Sequence, residues 1–320
     1  MRWGNLGWLM RDAMTRVLCE LAEQDPNVLL VTGDLGFGVF NQYRQRFPAQ
    51  FINAGVAEQN MTGLATGLAL EGKIVFTYSI GNFSTLRCLE QIRNDACYHG
   101  ANVKIIAIGG GFTYGALGIS HHATEDLAIM RALPDITVIA PGDPLEAEAA
   151  TRAVYKQPGT CYLRLGRGEE PCVHEDQISF VLGEALKVRD YGHDVVIIST
   201  GGILKNAADA CDLLAKEGIR VQLFSMHTMK PFDKELISRI APSSRLAVTI
   251  EEHTITGGLG SAVAVVLAES SGSRAKLLQI GLNDCFSSVV GDQEYLREIY
   301  GLSVEAIFQK IRKSLLEMSH

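Results

Sequence analysis

The chain has 320 residues, of which 47% are hydrophobic, and its formal net charge at pH 7 is −7. A chain of this length and composition can bury two ordinary cores, so we expect two domains. A nucleic-acid-binding surface would need clustered Lys and Arg, which the sequence lacks. No stretch approaches the ~18 consecutive apolar residues of a membrane span, so we expect no contact with nucleic acid or membrane.

The seven cysteines include no Cys-X-X-Cys pair, and the eight histidines show no metal-binding spacing. This usage is typical of reduced core thiols and argues against disulfides or a metal site in this chain. The N-terminal stretch carries Arg11 and Asp12, so it lacks the uninterrupted apolar core of a signal peptide. Together these features predict a cytoplasmic protein.

The first half of the chain alternates helical and strand patterns. A helix is predicted over 9–21 and a buried strand over 28–32, followed directly by the glycine-rich run GDLGFG at 33–38. Ligands of open α/β sheets bind outside the carboxyl ends of strands, where this run lies. The pattern continues with strands at 74–79, 103–108, 137–140 and 162–165, and helices at 85–98, after Ala123 and at 144–155.

The segment FINAGVAEQNMTGLATGLAL, at 51–70, reads as a short extended piece, a glycine turn and a helix. From Val56 to Leu70 its only charged side chain is Glu58. Such a helix is expected to be buried in a core or at a subunit interface. A carboxylate buried there needs a partner or a proton. The alternative places Glu58 in an exposed first turn, where solvent and the helix dipole tolerate it.

A charged stretch without periodicity, at 166–179, interrupts this alternation. Beyond it, strands are predicted at 195–199, 221–225, 246–250 and 277–280, with a C-terminal helix near 304–318. We therefore predict an α/β protein of two domains, 1–168 and 183–320, joined by a linker at 169–182. Each domain should be a mostly parallel sheet flanked by helices.

Several long strings of the sequence resemble thiamine-diphosphate enzymes, in particular transketolases. They are GVAEQNMTGLATGLALEG, GNFSTLRCLEQIRND, GISHHATEDLAIMRALPDITVIAPGDPLEA, YLRLGRGEEP and EEHTITGGLGSAV, and the resemblance covers essentially the whole chain. It implies a pyrimidine-binding domain followed by a transketolase C-terminal domain. In that family the acid at the position of Glu58 hydrogen-bonds N1′ of the cofactor's aminopyrimidine, which gives Glu58 a catalytic role.

The resemblance also implies cofactor contacts. Asp34 and Leu35 would lie near the thiazolium and the pyrimidine, although a tight turn after a strand would also explain them. The family places three aromatic residues around the pyrimidine, and these positions read Ile80, Phe83 and Leu86 here. Only Phe83 can stack on the ring, while the other two supply apolar contact.

Four further residues match substrate-side positions of the family. His121 corresponds to the active-site histidine near the reacting carbon, and a neutral imidazole can exchange protons near pH 7. His122 stands where glutamine is usual and is secondary. Arg164, which aligns with the family's phosphate-binding arginine, and Arg167 could grip a phosphate or carboxylate. The alternative is a pair of surface arginines at a strand end.

Two positions depart from ordinary transketolases. The family's Glu-Asp-Gly triplet is replaced by Ala116, Leu117 and Gly118, and a second family histidine is replaced by Gly109. Both family residues contact sugar hydroxyls. The usual sugar-phosphate specificity is therefore in doubt, and a deoxy sugar, or a bulkier one that reaches into the open space, would suit the site better.

The family's Gly-Asp-Gly motif, which holds the diphosphate and its Mg²⁺ (or Ca²⁺), is missing, since no Gly-Asp pair here is followed by Gly. The resemblance therefore implies an N-terminal transketolase subunit as partner, in an α2β2 heterotetramer, and transfer of a two-carbon ketol unit from a ketose to an aldose. The alternatives are the β subunit of a 2-oxo-acid dehydrogenase E1 component and a noncatalytic assembly or regulatory subunit.

Overall fold

The computed structural model describes residues 9–167, 170–175, 177–270 and 275–318, and no helix within these residues is long and apolar enough to cross a membrane. The described strands are β1 (Val28–Thr32), β2 (Phe51–Asn53), β3 (Ile74–Ile80), β4 (Val103–Ile108), β5 (Ile136–Ile139), β6 (Thr160–Leu165), β7 (Leu186–Asp190), β8 (Val195–Thr200), β9 (Val221–Ser225), β10 (Thr228–Lys230), β11 (Leu246–Thr254) and β12 (Lys276–Leu282).

The α-helices are α1 (Met10–Gln24), α2 (Asn41–Arg46), α3 (Glu58–Leu70), α4 (Gly81–Ser84), α5 (Leu89–Gln91), α6 (Asp126–Ala132), α7 (Pro144–Lys156), α8 (Leu204–Lys216), α9 (Lys234–Ile240), α10 (Leu259–Glu269), α11 (Gln293–Ile299) and α12 (Val304–Glu317). Short 3₁₀ turns lie at Pro48–Gln50, Leu86–Cys88, Gly115–Leu117, Gly201–Ile203 and Ala241–Ser243, and a π-helix at Ile92–Cys97.

The described strands form two sheets, of seven and five strands, in the orders β10-β5-β6-β4-β3-β1-β2 and β12-β11-β8-β9-β7. All pairs are parallel except β10 with β5 and β7 with β9, which are edge pairs. Every residue of β1, β4, β6 and β8 is buried, because helices cover both faces of each sheet. This confirms the predicted fold class of two mostly parallel sheets flanked by helices.

Strand β10 comes from the second half of the chain but completes the first sheet. Thr228 pairs with Ile139 and Lys230 with Val138. Beside it, the backbone N–H of Ala140 donates to the carbonyl of His227 at 2.8 Å. The second half of the chain therefore contributes an edge strand to the first sheet. The sequence-based division into two domains does not anticipate this strand.

The single helix predicted over 85–98 is divided into several pieces. Helix α4 ends at Ser84, a 3₁₀ turn follows over Leu86–Cys88, and α5 passes into the π-helix Ile92–Cys97. Thr85 Oγ1 donates to the carbonyl oxygen of Gly81 at 2.7 Å, where helix α4 breaks off. Such π segments occur often at functional sites, and this one follows the turns that carry Phe83 and Leu86.

Candidate functional site

The carboxyl ends of four neighbouring inner strands of the first sheet, β6, β4, β3 and β1, lie side by side. In register, Thr32 of β1 pairs with Tyr78 of β3, and Ile108 of β4 pairs with both Ile80 and Leu165. The turns that follow these strands carry most of the residues expected at a cofactor site. Parallel α/β sheets bind ligands outside the carboxyl ends of their strands, so the topology alone brings these residues together.

Glu58 is the first residue of α3 but is only 2% exposed. Its Oε2 accepts a hydrogen bond from Arg87 Nη1 at 2.7 Å, and its Oε1 lies 3.4 Å from Ser79 Oγ. The turn after β1 is close enough that a Cβ on Gly33 would lie 3.2 Å from Glu58 Cγ. The first-turn position is therefore correct, but the exposed alternative is wrong, because the turn and β3 enclose the carboxylate.

Aromatic rings continue from Glu58 along the site. The Arg87 guanidinium lies over Phe83, 4.4 Å from the ring centroid. The Phe83 ring meets His121 edge to face at 5.1 Å, and His121 meets Tyr114 at 5.8 Å. We call Phe83, His121 and Tyr114 the aromatic strip. It forms one continuous surface that begins beside the buried carboxylate.

His121 has the properties of a proton-transfer group at the middle of the strip. Its Nδ1 lies 2.9 Å from Ser120 Oγ, an arrangement that fixes the ring orientation. Partial burial, and secondarily the neighbouring His122, lowers the pKa of His121 below its ordinary value of 6.5. The imidazole is thus neutral near pH 7, a form in which it can accept a proton.

The other expected cofactor residues lie directly after β1, at the end of β3 and in the turn that follows α4. Asp34 has a positive φ of 57°. Its Oδ1 accepts a hydrogen bond from Asn53 Nδ2 at 2.8 Å, and its backbone N–H donates to Asn53 Oδ1. Leu35 and Ile80 are half-buried, and Leu86 is exposed. Their contacts with a cofactor stay predictions.

His122 is buried and points away from the strip. Its Nε2 lies 3.0 Å from the carbonyl oxygen of Gly115, and its ring meets Phe112 edge to face at 5.2 Å. It therefore anchors the glycine-rich loop from inside. This placement gives no support to the predicted substrate role of His122.

Arg164 is also turned into the interior. Its Nε donates to Asp126 Oδ2 at 2.9 Å, and its Nη2 donates to the carbonyl oxygens of Ala123 at 2.7 Å and Glu252 at 3.1 Å. Because the side chain is buried and its Nε and Nη2 are engaged in this way, the structure gives no support to the predicted grip of Arg164 on a phosphate. Arg167 differs, because it is exposed and its guanidinium lies 5.3 Å from the centroid of Tyr114.

The space expected beside Gly109 is filled. Gly109 has φ of +95°, and a Cβ at this position would overlap the ring of Tyr114. The expectation of an open space there is wrong, because Tyr114 folds back over the glycine. Leu117 projects outward from the same loop and is 56% exposed. An apolar side chain and a tyrosine therefore stand near the positions of the family's carboxylate and imidazole.

Sequence reasoning missed Arg87, Tyr114 and Glu252. Arg87 follows Phe83 by four residues, a spacing that places two side chains on one helical face and could have signalled the contact. Tyr114 gave no signal beyond its place in the glycine-rich loop. Glu252 reaches this loop from β11, since its Oε1 accepts the backbone N–H of Phe112 at 2.5 Å, a contact that only the tertiary fold creates.

No group of three or more His, Cys, Asp or Glu side chains in the described ranges is arranged to hold a metal ion. Two family descriptions match the chain: the transketolase pyrimidine binding domain over residues 8–171, and the transketolase C-terminal domain over residues 183–307. The chain belongs to the transketolase family. Both halves of the predicted transketolase fold are confirmed by these matches.

Three similar proteins agree with this assignment. A putative transketolase C-terminal section from Methanocaldococcus jannaschii is 40% identical over 309 residues, covering 96% of each chain. A 6-deoxy-6-sulfo-D-fructose transketolase subunit from Clostridium sp. (strain MSTE9) is 36% identical, covering 94% of this chain and 92% of its own length. A solved split-gene transketolase, an inactive β4 tetramer, is 35% identical with a TM-score of 0.86, covering 97% of this chain and 99% of its own.

The resemblance to the C-terminal subunit of a split transketolase is therefore confirmed. The first two of these relatives match the present chain along nearly its full length, and both carry transketolase names. Among the alternatives of the sequence analysis, they favour a transketolase subunit over the β subunit of a 2-oxo-acid dehydrogenase.

Proposed function

We propose that this transketolase subunit takes part in thiamine-diphosphate-dependent transfer of a two-carbon ketol unit from a ketose donor to an aldose acceptor. The proposal is carried by the buried carboxylate of Glu58 and the nearby ring of Phe83, which are both in contact with Arg87. In a chain of this family, a carboxylate and a ring face so arranged suit a planar aminopyrimidine, which needs both a hydrogen-bond partner and a stacking surface.

Thiamine diphosphate, when bound, supplies a carbon nucleophile and an electron sink for cleavage of the bond next to a carbonyl. Glu58 would share a proton with N1′ of the aminopyrimidine, in an environment from which Gly33 and Ser79 exclude water. Phe83 would stack on the ring. Asp34, Leu35, Ile80 and Leu86 would complete its surroundings, as the family resemblance implies.

His121 would act on the substrate. Its Nδ1 is engaged by Ser120 Oγ, which leaves Nε2 to exchange a proton with a sugar hydroxyl. Its lowered pKa keeps it able to accept that proton near neutral pH. Because His121 touches Phe83, a substrate hydroxyl held at Nε2 would lie next to the cofactor's position.

The diphosphate and its Mg²⁺ (or Ca²⁺) would be held by an N-terminal transketolase subunit, in an α2β2 heterotetramer in the cytoplasm. Support comes from the missing Gly-Asp-Gly motif and from relatives named as C-terminal sections or subunits. The division into residues 1–168, a linker at 169–182 and residues 183–320 also stays a proposal, since β10 crosses it. Two residues of that linker, 169 and 176, lie outside the described residues.

The substrate would be a non-standard sugar. Leu117 offers no charge to a sugar hydroxyl, and Tyr114 closes the space beside Gly109. Arg167 places a positive charge at the end of the aromatic strip, where it can receive an anionic group. A sugar with a deoxy carbon and an anionic end fits this surface, and one relative is named for 6-deoxy-6-sulfo-D-fructose.

Reconstitution tests the proposal. The chain is assayed for ketol transfer with thiamine diphosphate and Mg²⁺, alone and after mixing with its N-terminal partner subunit. We expect turnover in the mixture only, and no micromolar cofactor binding to the chain alone by calorimetry. Turnover or such binding by the chain alone would refute the requirement for a partner.

A further inference from the structure

We infer that Arg87 is a placeholder for the cofactor's aminopyrimidine, and that cofactor binding displaces its guanidinium from Glu58 and Phe83. This inference rests on the proposed function. It concerns a residue of this chain for which neither the family resemblance nor the sequence analysis suggested any role.

Arg87 makes both of the contacts that the pyrimidine needs. Its Nη1 donates to Glu58 Oε2 at 2.7 Å, and its planar guanidinium lies 4.4 Å from the centroid of Phe83. A flat group that donates an N–H to the carboxylate and stacks on the ring resembles, in shape and in this hydrogen bond, an aminopyrimidine that is protonated at N1′. One carboxylate oxygen and one ring face cannot serve both groups at once.

The two side chains of this ion pair differ in burial. The Glu58 side chain is only 2% exposed, whereas the Arg87 side chain is 45% exposed. The guanidinium therefore covers the carboxylate from the solvent side and retains a route back to water. A half-exposed ion pair contributes little free energy, so a ligand with better contacts can displace the arginine.

The local backbone leaves Arg87 few other contacts. Arg87 lies in the 3₁₀ turn Leu86–Cys88, between α4 and α5, rather than inside a regular helix. Among the described residues, Glu58 is the only carboxylate with which Arg87 forms an ion pair. Within the described residues, its displacement would break this ion pair and the contact with Phe83 and would release the side chain to solvent.

An arginine that competes with the pyrimidine and an arginine that binds the cofactor should have opposite effects on the dissociation constant for thiamine diphosphate. If Arg87 competes with the pyrimidine, Arg87→Ala should tighten the dissociation constant for thiamine diphosphate in the reconstituted complex. A tightening of roughly two- to fivefold corresponds to removal of a half-exposed ion pair. Arg93→Ala is the matched control, since Arg93 is exposed on the same segment and bonds to Asn94; its dissociation constant should equal that of the wild type.

Calorimetry on the complex gives the dissociation constants, and a thermal melt of each variant verifies that it folds. Unchanged or weaker binding by Arg87→Ala would overturn the placeholder and leave the proposed function standing. If the wild-type complex itself bound no thiamine diphosphate, the proposed function would fail, and the placeholder with it.

A neutral probe separates displacement from attraction of the diphosphate. The cofactor's aminopyrimidine fragment, 4-amino-5-hydroxymethyl-2-methylpyrimidine, carries no phosphate charge. It is added to the full chain, labelled with ¹⁵N and with ¹³C-phenylalanine, up to a concentration that moves the Phe83 ring signals. It should then also shift the Arg87 Nε–H signal, assigned from its loss in Arg87→Ala, and should leave the Arg93 signal in place. An Arg87 signal that stays unmoved while Phe83 ring signals respond would contradict the displacement.

Discussion

Glu252 Oε1 accepts the backbone N–H of Phe112 at 2.5 Å, although the two residues are 140 positions apart in sequence. The same carboxylate accepts from Arg297 Nε at 2.6 Å and from Gln293 Nε2 at 2.8 Å. This contact joins the second sheet to the glycine-rich loop that carries Tyr114 and leads to His121. The order of the site loop thus depends on a buried ion pair in the other half of the chain.

Removal of this carboxylate should therefore be costly. Glu252→Ala removes the buried partner of Arg297 and leaves it only the exposed Glu294, and we expect a loss of about 3–5 kcal/mol in the free energy of unfolding. Glu294 is the matched control, because it pairs with the same arginine from a side chain that is 69% exposed. Glu294→Ala should cost less than about 1 kcal/mol in urea denaturation; equal losses for the two variants would contradict this account of the loop.

A second buried acid on β11 gives a pH-dependent prediction. Burial raises the pKa of Glu251 to about 7. The backbone N–H groups of Leu259 and Gly260, which donate to its carboxylate at 2.7 and 2.8 Å, act in the opposite direction and lower this pKa. Because the folded-state pKa lies above the unfolded value of 4.5, the protonated carboxyl stabilises the fold fully below pH 4.5. That contribution is lost as the pH rises through 7.

The measurement compares unfolding free energies of the wild type and Glu251→Gln between pH 4.5 and 7.5. The fixed cost of the substitution is the same at every pH, so the difference isolates the carboxyl. We expect the wild type's advantage to be largest at pH 4.5 and to shrink toward pH 7.5. His253, whose pKa burial lowers to about 4, gives the opposite trend in both proteins, although its Nδ1 lies 3.6 Å from the Glu251 carboxyl. A flat difference would rule out the raised pKa of Glu251.

The two sheets and most of their strands could be predicted from the sequence, because buried parallel strands read as continuous apolar runs. Strand β10 could not, since its three residues give no period. Glu58 stood out as the only charged side chain of its helix, and the resemblance gave it and Phe83 their roles. The orientation of Arg164 depends on its ion pair with Asp126, 38 residues away. Whether an arginine faces substrate or a buried partner is decided by tertiary packing, which no local pattern records.

His121 should be needed for turnover. His121→Asn removes the group that exchanges a proton with the substrate, so activity of the reconstituted complex should fall by about 10²–10⁴-fold. His193 is exposed and remote in the fold, and His193→Asn should retain wild-type rates. Steady-state assays with saturating cofactor make the comparison, and equal activity of the two variants would remove His121 from the mechanism.

Leu117 should lower kcat/KM for ordinary sugar phosphates, because its apolar side chain makes no hydrogen bond to a sugar hydroxyl. Leu117→Asp restores a carboxylate at an exposed position, and one hydrogen bond to a sugar hydroxyl should raise kcat/KM on a pentose phosphate by roughly two- to tenfold. Ile119→Asp adds the same charge two residues further on, at another exposed position, and should give no gain. If both variants gain alike, a general charge effect replaces the specific one.

The central claim is that Glu58 serves the cofactor's pyrimidine in a two-chain transketolase, and Glu58→Gln in the reconstituted complex tests it most directly. Gln preserves the size of the side chain but cannot supply the proton, so ketol transfer should fall by about 10²–10⁴-fold. Assembly with the partner, measured by analytical ultracentrifugation, should be unchanged. A Glu58→Gln complex that assembles, binds thiamine diphosphate and turns over at the wild-type rate would contradict the account.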